Sequence, residues 1–153
     1  MNRGDKDIME SLNIYAISSD DGLDMLGQLL ENMDFSNFRL KDMIENLERD
    51  NAFEYEERGD IAAILLAEIV SIYKKELEDG FGITFRDKSS ILILDNDSLL
   101  MILKSLEIID EQHEIYEIWS EDEDGEDWFS HLERMKSVID DTLKQNIDIL
   151  ELY

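Results

Sequence analysis

The most apolar segment of the chain lies near its middle and reads Asp60-Ile61-Ala62-Ala63-Ile64-Leu65-Leu66-Ala67-Glu68-Ile69-Val70-Ser71-Ile72-Tyr73. Its residues are apolar on nearly every face of a helix, which is typical of a helix buried at the centre of a domain. Asp60 is a good N-cap residue for this helix. Gly80 or Gly82 is expected to end it. We therefore predict a fold built around this segment.

Helical patterns lie on both sides of this central segment. Before it, we predict a short helix at residues 6–16, a second helix capped within residues 19–21, and a third capped by Ser36. After it, Asp95 or Asp97 caps another helix, and a long final helix carries Trp128 on its apolar stripe. The spacing of this stripe assigns Trp128 to the core.

Strand patterns occupy the region around residues 83–94. Residues 83–85 and 91–94 flank a polar loop, and this predicts a β-hairpin. Residues 113–119 fit either a third strand or a helix extension, and their β-branched and aromatic content favours the strand. Residues 147–153 either fray or add an edge strand. The predicted fold class is α+β, mainly α: a helical body with a small antiparallel β-sheet, in one acidic globular domain spanning residues 1–153.

The composition excludes several classes of protein. The 153 residues include no cysteine, so disulfides, thiolate metal sites and thiol nucleophiles are impossible. The N-terminal residues are polar and lack the apolar region of a signal peptide. The longest apolar runs are far shorter than the roughly 20 residues that span a bilayer. We therefore expect a cytoplasmic protein that does not contact membranes.

The charge of the chain is its most unusual property. Thirty-nine acidic residues against 14 Lys and Arg give a net charge of −25. Such a surface repels nucleic acid, so we expect no direct nucleic-acid binding. It attracts basic surfaces and speeds association with them. The alternative interpretation is that the charge serves solubility alone.

Twelve of the acids are concentrated in residues 105–133, a segment that contains no Lys or Arg and is called the acidic run below. Folding does not require such a run, and we predict that it meets a cationic protein; the alternative is a solvated loop before a helix. Aromatic residues within it are suited to packing against Arg and Lys. The predicted partner-binding residues are Glu114, Tyr116, Glu117, Trp119, Glu121, Asp122, Glu123, Asp124, Glu126 and Asp127.

Motifs for catalysis or metal binding do not emerge from the sequence. The segment around Asp122 and Asp124 partly matches a calcium loop, but it lacks the apolar residue and the bidentate Glu that an EF-hand needs. The two histidines, His113 and His131, are interpreted as surface residues beside acids rather than as metal ligands. We predict no catalytic residue, no metal and no cofactor, and hence a protein that is not an enzyme.

In size and charge, though not in any motif, the chain resembles bacterial immunity proteins that neutralise nuclease toxins. It resembles equally the phage anti-restriction and anti-CRISPR proteins that imitate DNA. The first hypothesis is an inhibitor whose acidic run binds a basic toxin or nucleic-acid enzyme. The alternatives are a phage DNA mimic and a helical adaptor that binds through an apolar groove near Met25, Met33 and Met43. A third alternative is a protein that binds a divalent metal through its clustered carboxylates, or an enzyme that uses them. The oligomeric state is left open.

Overall fold

The computed structural model describes residues 15–33, 37–77, 91–109 and 125–151. A 3-10 turn (Ala16–Ser18) precedes α1 (Asp20–Asn32), β1 (Asn37–Arg39), α2 (Leu40–Arg49) and α3 (Glu56–Tyr73). These are followed by β2 (Ile91–Ile93), α4 (Asn96–Glu107), α5 (Gly125–Gln145) and β3 (Ile149–Glu151). The fold class is α+β, mainly α, as predicted.

Helix α3 is the centre of the fold. It packs against α1, α4, α5 and the 3-10 turn, and every residue from 60 to 73 is buried. Each large apolar side chain removed from water in this way contributes roughly 1.5–3 kcal/mol. The prediction of a central buried helix is confirmed.

The ends of α3 differ from those predicted. The helix begins one turn before Asp60, at Glu56. Two acids in its first turn interact favourably with the positive end of the helix dipole. It ends at Tyr73 rather than near Gly80, because Lys75 adopts a left-handed backbone conformation with φ of 63°. A helix cannot continue through that conformation.

The other described helices follow their sequence patterns, with differences at their starts. Ser19 caps α1, and its Oγ accepts a hydrogen bond from Gly22 N at 3.0 Å. Asp95 caps α4, as one of the two predicted choices. Helix α2 begins at Leu40, later than a cap at Ser36 implies, because residues 37–39 form a strand. The helix predicted at residues 6–16 lies outside the described residues, apart from its end.

The described sheet is mixed, and its central strand is β2. Strand β1 pairs with β2 in parallel, and β3 pairs with β2 in antiparallel orientation. Both edges of β2 are thus occupied by strands from distant parts of the chain. Of the predicted hairpin, the second strand is present as β2, whereas residues 83–85 lie outside the described residues. The edge strand proposed within residues 147–153 is confirmed as β3.

The cap of α4 provides a first test of the fold. Asp95→Ala is expected to lower the free energy of unfolding by about 1 kcal/mol, because the Asp95 carboxylate accepts a hydrogen bond from Ser98 N at 2.9 Å. Urea denaturation followed by circular dichroism measures this loss. Asp97→Ala is the matched control, since Asp97 is exposed in the same turn and is not the cap. Equal losses in the two variants would contradict the capping role.

Candidate functional site

The residues predicted to bind a partner lie at or before the start of α5. Glu114, Tyr116, Glu117, Trp119 and residues 121–124 lie outside the described residues, and their assignment stays a prediction. Glu126 and Asp127 lie in the first turn of α5.

Helix α5 is anchored to the core directly after the acidic residues 121–127. Trp128, His131 and Leu132 are almost fully buried, and α5 packs against both α3 and α4. The prediction that Trp128 belongs to the core is confirmed. The last part of the acidic run is therefore carried on a helix whose position the core fixes.

A polar network at the base of this helix is formed by Glu68 of α3. Its Oε2 accepts a hydrogen bond from Ala16 N at 2.8 Å, and its Oε1 accepts one from Ile17 N at 2.7 Å. His131 Nε2 lies 2.7 Å from Glu68 Oε2. The Tyr15 ring packs on the imidazole with 4.3 Å between ring centroids.

This network ties three elements together. The N–H groups of Ala16 and Ile17 open the 3-10 turn and lack partners within it, and the Glu68 carboxylate satisfies them. The same carboxylate holds His131 of α5. Because α3 is apolar on most faces, hydrophobic packing alone specifies its rotation poorly. The directed contacts of Glu68 favour one rotation of α3 against the 3-10 turn and α5.

The sequence interpretation of His131 as a surface residue is wrong. Its side chain is 3% exposed and the Glu68 side chain is 0% exposed, so substrate cannot reach the pair in this conformation. The arrangement therefore supports a structural role. Two sequence signals point to it in retrospect. Glu68 is the one charged residue within residues 61–73, and His131 stands between Trp128 and Met135 at core spacing.

The methionines proposed to line an apolar groove fill the core instead. Met25 and Met43 are fully buried, and Met33 is partly buried against the core cluster. A buried side chain offers no surface to a partner. The adaptor hypothesis therefore loses the groove that was assigned to it near these residues.

Two adjoining clefts form an open groove elsewhere, along α4. One cleft of about 400 Å³ is lined by Asp97, Leu100, Met101, Lys104, Ser105 and Ile108. The other, of about 240 Å³, shares Asp97 and Met101 with the first and is lined from α2 by Lys41, Ile44, Glu45 and Glu48. Together these residues define the α2–α4 groove.

Negative charge extends well beyond the acidic run. Every described helix carries acids, and in the described segments they outnumber Lys and Arg by more than two to one. Some bases pair locally: Lys136 lies 3.0 Å from Glu133 and Lys144 lies 2.8 Å from Asp140. The hydrogen bond that Lys144 donates to the Asp140 carboxylate raises the pKa of Lys144 above its ordinary value. Even if each of the 14 Lys and Arg residues paired with one acid, 25 of the 39 acids would have no base as a partner.

The described segments hold neither a metal-type cluster nor a membrane-spanning helix. No three His, Asp or Glu side chains there are grouped in a way that suits a metal ion. None of the helices in these segments has both the length and the apolar character required for crossing a bilayer.

Comparison with protein families, with curated proteins and with solved structures finds no match to the chain.

Proposed function

We propose that the protein is an inhibitor, of the immunity-protein kind, that binds and neutralises a basic toxin or enzyme acting on nucleic acid. The observation that carries this proposal is the acidic run, which holds twelve acids and no Lys or Arg. An enzyme that acts on nucleic acid presents positive charge to phosphates. The acidic run would occupy that positive surface in place of the phosphates.

The anchoring of α5 supports the proposal. Charges on rigid elements keep their geometry when a partner docks, and this lowers the entropic cost of binding. Trp128, His131 and Leu132 hold the start of α5 in the core. The acids at the end of the run are thus carried on a fixed helix.

The test begins with the partner itself. Affinity capture from the native host at low salt is expected to recover a basic protein with activity on DNA or RNA, and equimolar addition of the inhibitor should suppress that activity. Binding should weaken steeply between low and moderate salt, mainly through the association rate. A captured partner of neutral or acidic surface, bound equally well at both salt concentrations, would contradict the proposal.

Substitution of the acidic run is the second arm. A variant with Glu121→Gln, Asp122→Asn, Glu123→Gln and Asp124→Asn is expected to bind about tenfold more weakly or worse. A matched control removes the same charge from four exposed acids outside the run: Asp24→Asn, Glu31→Gln, Glu76→Gln and Asp141→Asn. The control should retain most of the affinity. Unchanged affinity in the first variant would refute the role of the run.

A phage-type DNA mimic is the second candidate, and the acids on every described helix favour it. A mimic spreads its contacts over many carboxylates, as DNA spreads its phosphates. Under this candidate the two four-residue variants should weaken binding by similar factors. Under the immunity proposal only the variant in the acidic run should do so.

A further inference from the structure

We propose that the α2–α4 groove is the docking site for a basic amphipathic helix of the partner. The proposal rests on the proposed function, since the partner is the same basic protein. It adds a second contact surface, away from the acidic run, and assigns to it the chemistry of its occupant.

The first support is an exposed apolar stripe on α4. Helix α4 buries Leu99, Ile102 and Leu106 on one face. On the opposite face Leu100 is 42% exposed and Ile108 is 59% exposed. The groove residues follow the spacing of a single helix face, from Asp97 through Met101 to Ile108. An ordinary solvated helix carries polar residues on this face, so the stripe favours a binding surface.

The second support is the shape of the surface. The stripe from Asp97 to Ile108 is about 17 Å long at 1.5 Å per residue, which matches about three turns of a helix laid beside it. Towards α2 the groove continues into the smaller cleft, where Ile44 adds a further apolar side chain to its lining. Grooves with an apolar floor are the usual receptors of amphipathic helices.

The third support is the arrangement of charge around this floor. Glu45 and Glu48 of α2 and Asp97 of α4 line the end of the groove nearest α2, and these acids outnumber Lys41, which lines the same end. Lys104 lies on the cleft that extends towards Ile108. An occupant is therefore expected to place Lys or Arg over the α2 end and an apolar row over Leu100, Met101 and Ile108. The stems of Lys and Arg can also pack on the apolar floor while their charged ends reach the carboxylates.

Two synthetic peptides of about 18 residues test the proposal, a length that permits a stable helical face. One carries a leucine row and several lysines, and the other carries the same lysines with serine in place of leucine. Fluorescence anisotropy measures the affinity of each for the whole protein. We expect the leucine peptide to bind about tenfold more tightly. Its addition should shift amide NMR signals of residues 41–48 and 97–108.

The double variant Leu100→Gln, Ile108→Gln should reduce that tenfold preference to about twofold or less. Leu23→Gln is the matched control, since Leu23 is 49% exposed on α1 and lies outside the groove. It should leave the preference intact. Circular dichroism confirms that all variants keep the helical content of the parent.

The outcomes separate the two proposals. Two results would contradict the groove proposal while leaving the proposed function intact. One is equal, salt-dependent binding of both peptides, and the other is a preference for the leucine peptide that the double variant does not reduce. Failure of both peptides to bind at low salt, together with capture of a partner that is not basic, overturns the proposed function and the groove with it.

Discussion

Replacing Glu68 with alanine is expected to lower the free energy of unfolding by about 3 to 5 kcal/mol, because removing one member of a buried pair leaves the rest unsatisfied. The substitution removes the hydrogen-bond partner of the N–H groups of Ala16 and Ile17 and of His131 Nε2. Each buried donor left without a partner costs about 1–3 kcal/mol. Urea denaturation, followed by circular dichroism and by tryptophan fluorescence, measures the loss.

Glu57→Ala controls for the change in net charge. Glu57 lies on the same helix and is exposed in its first turn, so its loss should change stability by about 0.5 kcal/mol or less. Glu68→Gln should fall between the two, since its amide oxygen still accepts while its NH2 group faces another donor. If Glu68→Ala costs no more than Glu57→Ala, the network does not hold the fold together.

Gly22→Ala is expected to destabilise the protein by about 3 kcal/mol, at the upper end of what overpacking usually costs. A Cβ atom at this position would overlap the carbonyl oxygen of Ala16. That oxygen cannot easily move away, because it accepts hydrogen bonds from Ser19 N and Ser19 Oγ. Glu68 also holds the adjoining N–H groups from the other side. Thermal and urea denaturation measure the effect.

Gly27→Ala is a control within the same helix. No atom lies within 4 Å of a Cβ built at Gly27 apart from its immediate helical surroundings. Alanine is the better helix former, so this variant should gain about 0.5 to 1 kcal/mol. Opposite signs for the two glycines are therefore expected. A neutral effect of Gly22→Ala on stability would contradict the close contact between the 3-10 turn and α1.

The helices were predictable from the sequence because their apolar residues recur at helical spacing over several turns. The apolar content of α3 was enough to predict it as a helix. The starts of α1 and α4 were predictable from their N-cap residues, Ser19 and Asp95. The strands were less predictable, since each has three described residues. Residues 37–39 carry no strand pattern, and they are extended because they pair with β2. The partners of β2 depend on tertiary structure, which local pattern does not encode.

The candidate site was predictable in charge and not in geometry. A run of acids is visible in any sequence, so the acidic run could be named before a structure. The Glu68–His131 contact joins residues that are 63 positions apart, and neither residue alone distinguishes a buried pair from a surface one. The groove could not be predicted from the sequence, because Leu100 and Ile108 fit the general apolar pattern of α4. Only the packing of the opposite face leaves them exposed.

The mixed sheet has a consequence for the order in which the protein folds. The segments that separate β2 from β1 and from β3 are each about 50 residues long, and closing loops of that length costs chain entropy. Turns of helix need only neighbouring residues and form much faster than such distant pairs. Strand pairing is therefore expected to complete the fold rather than start it, joining early, middle and late parts of the chain once the helices between them are compact.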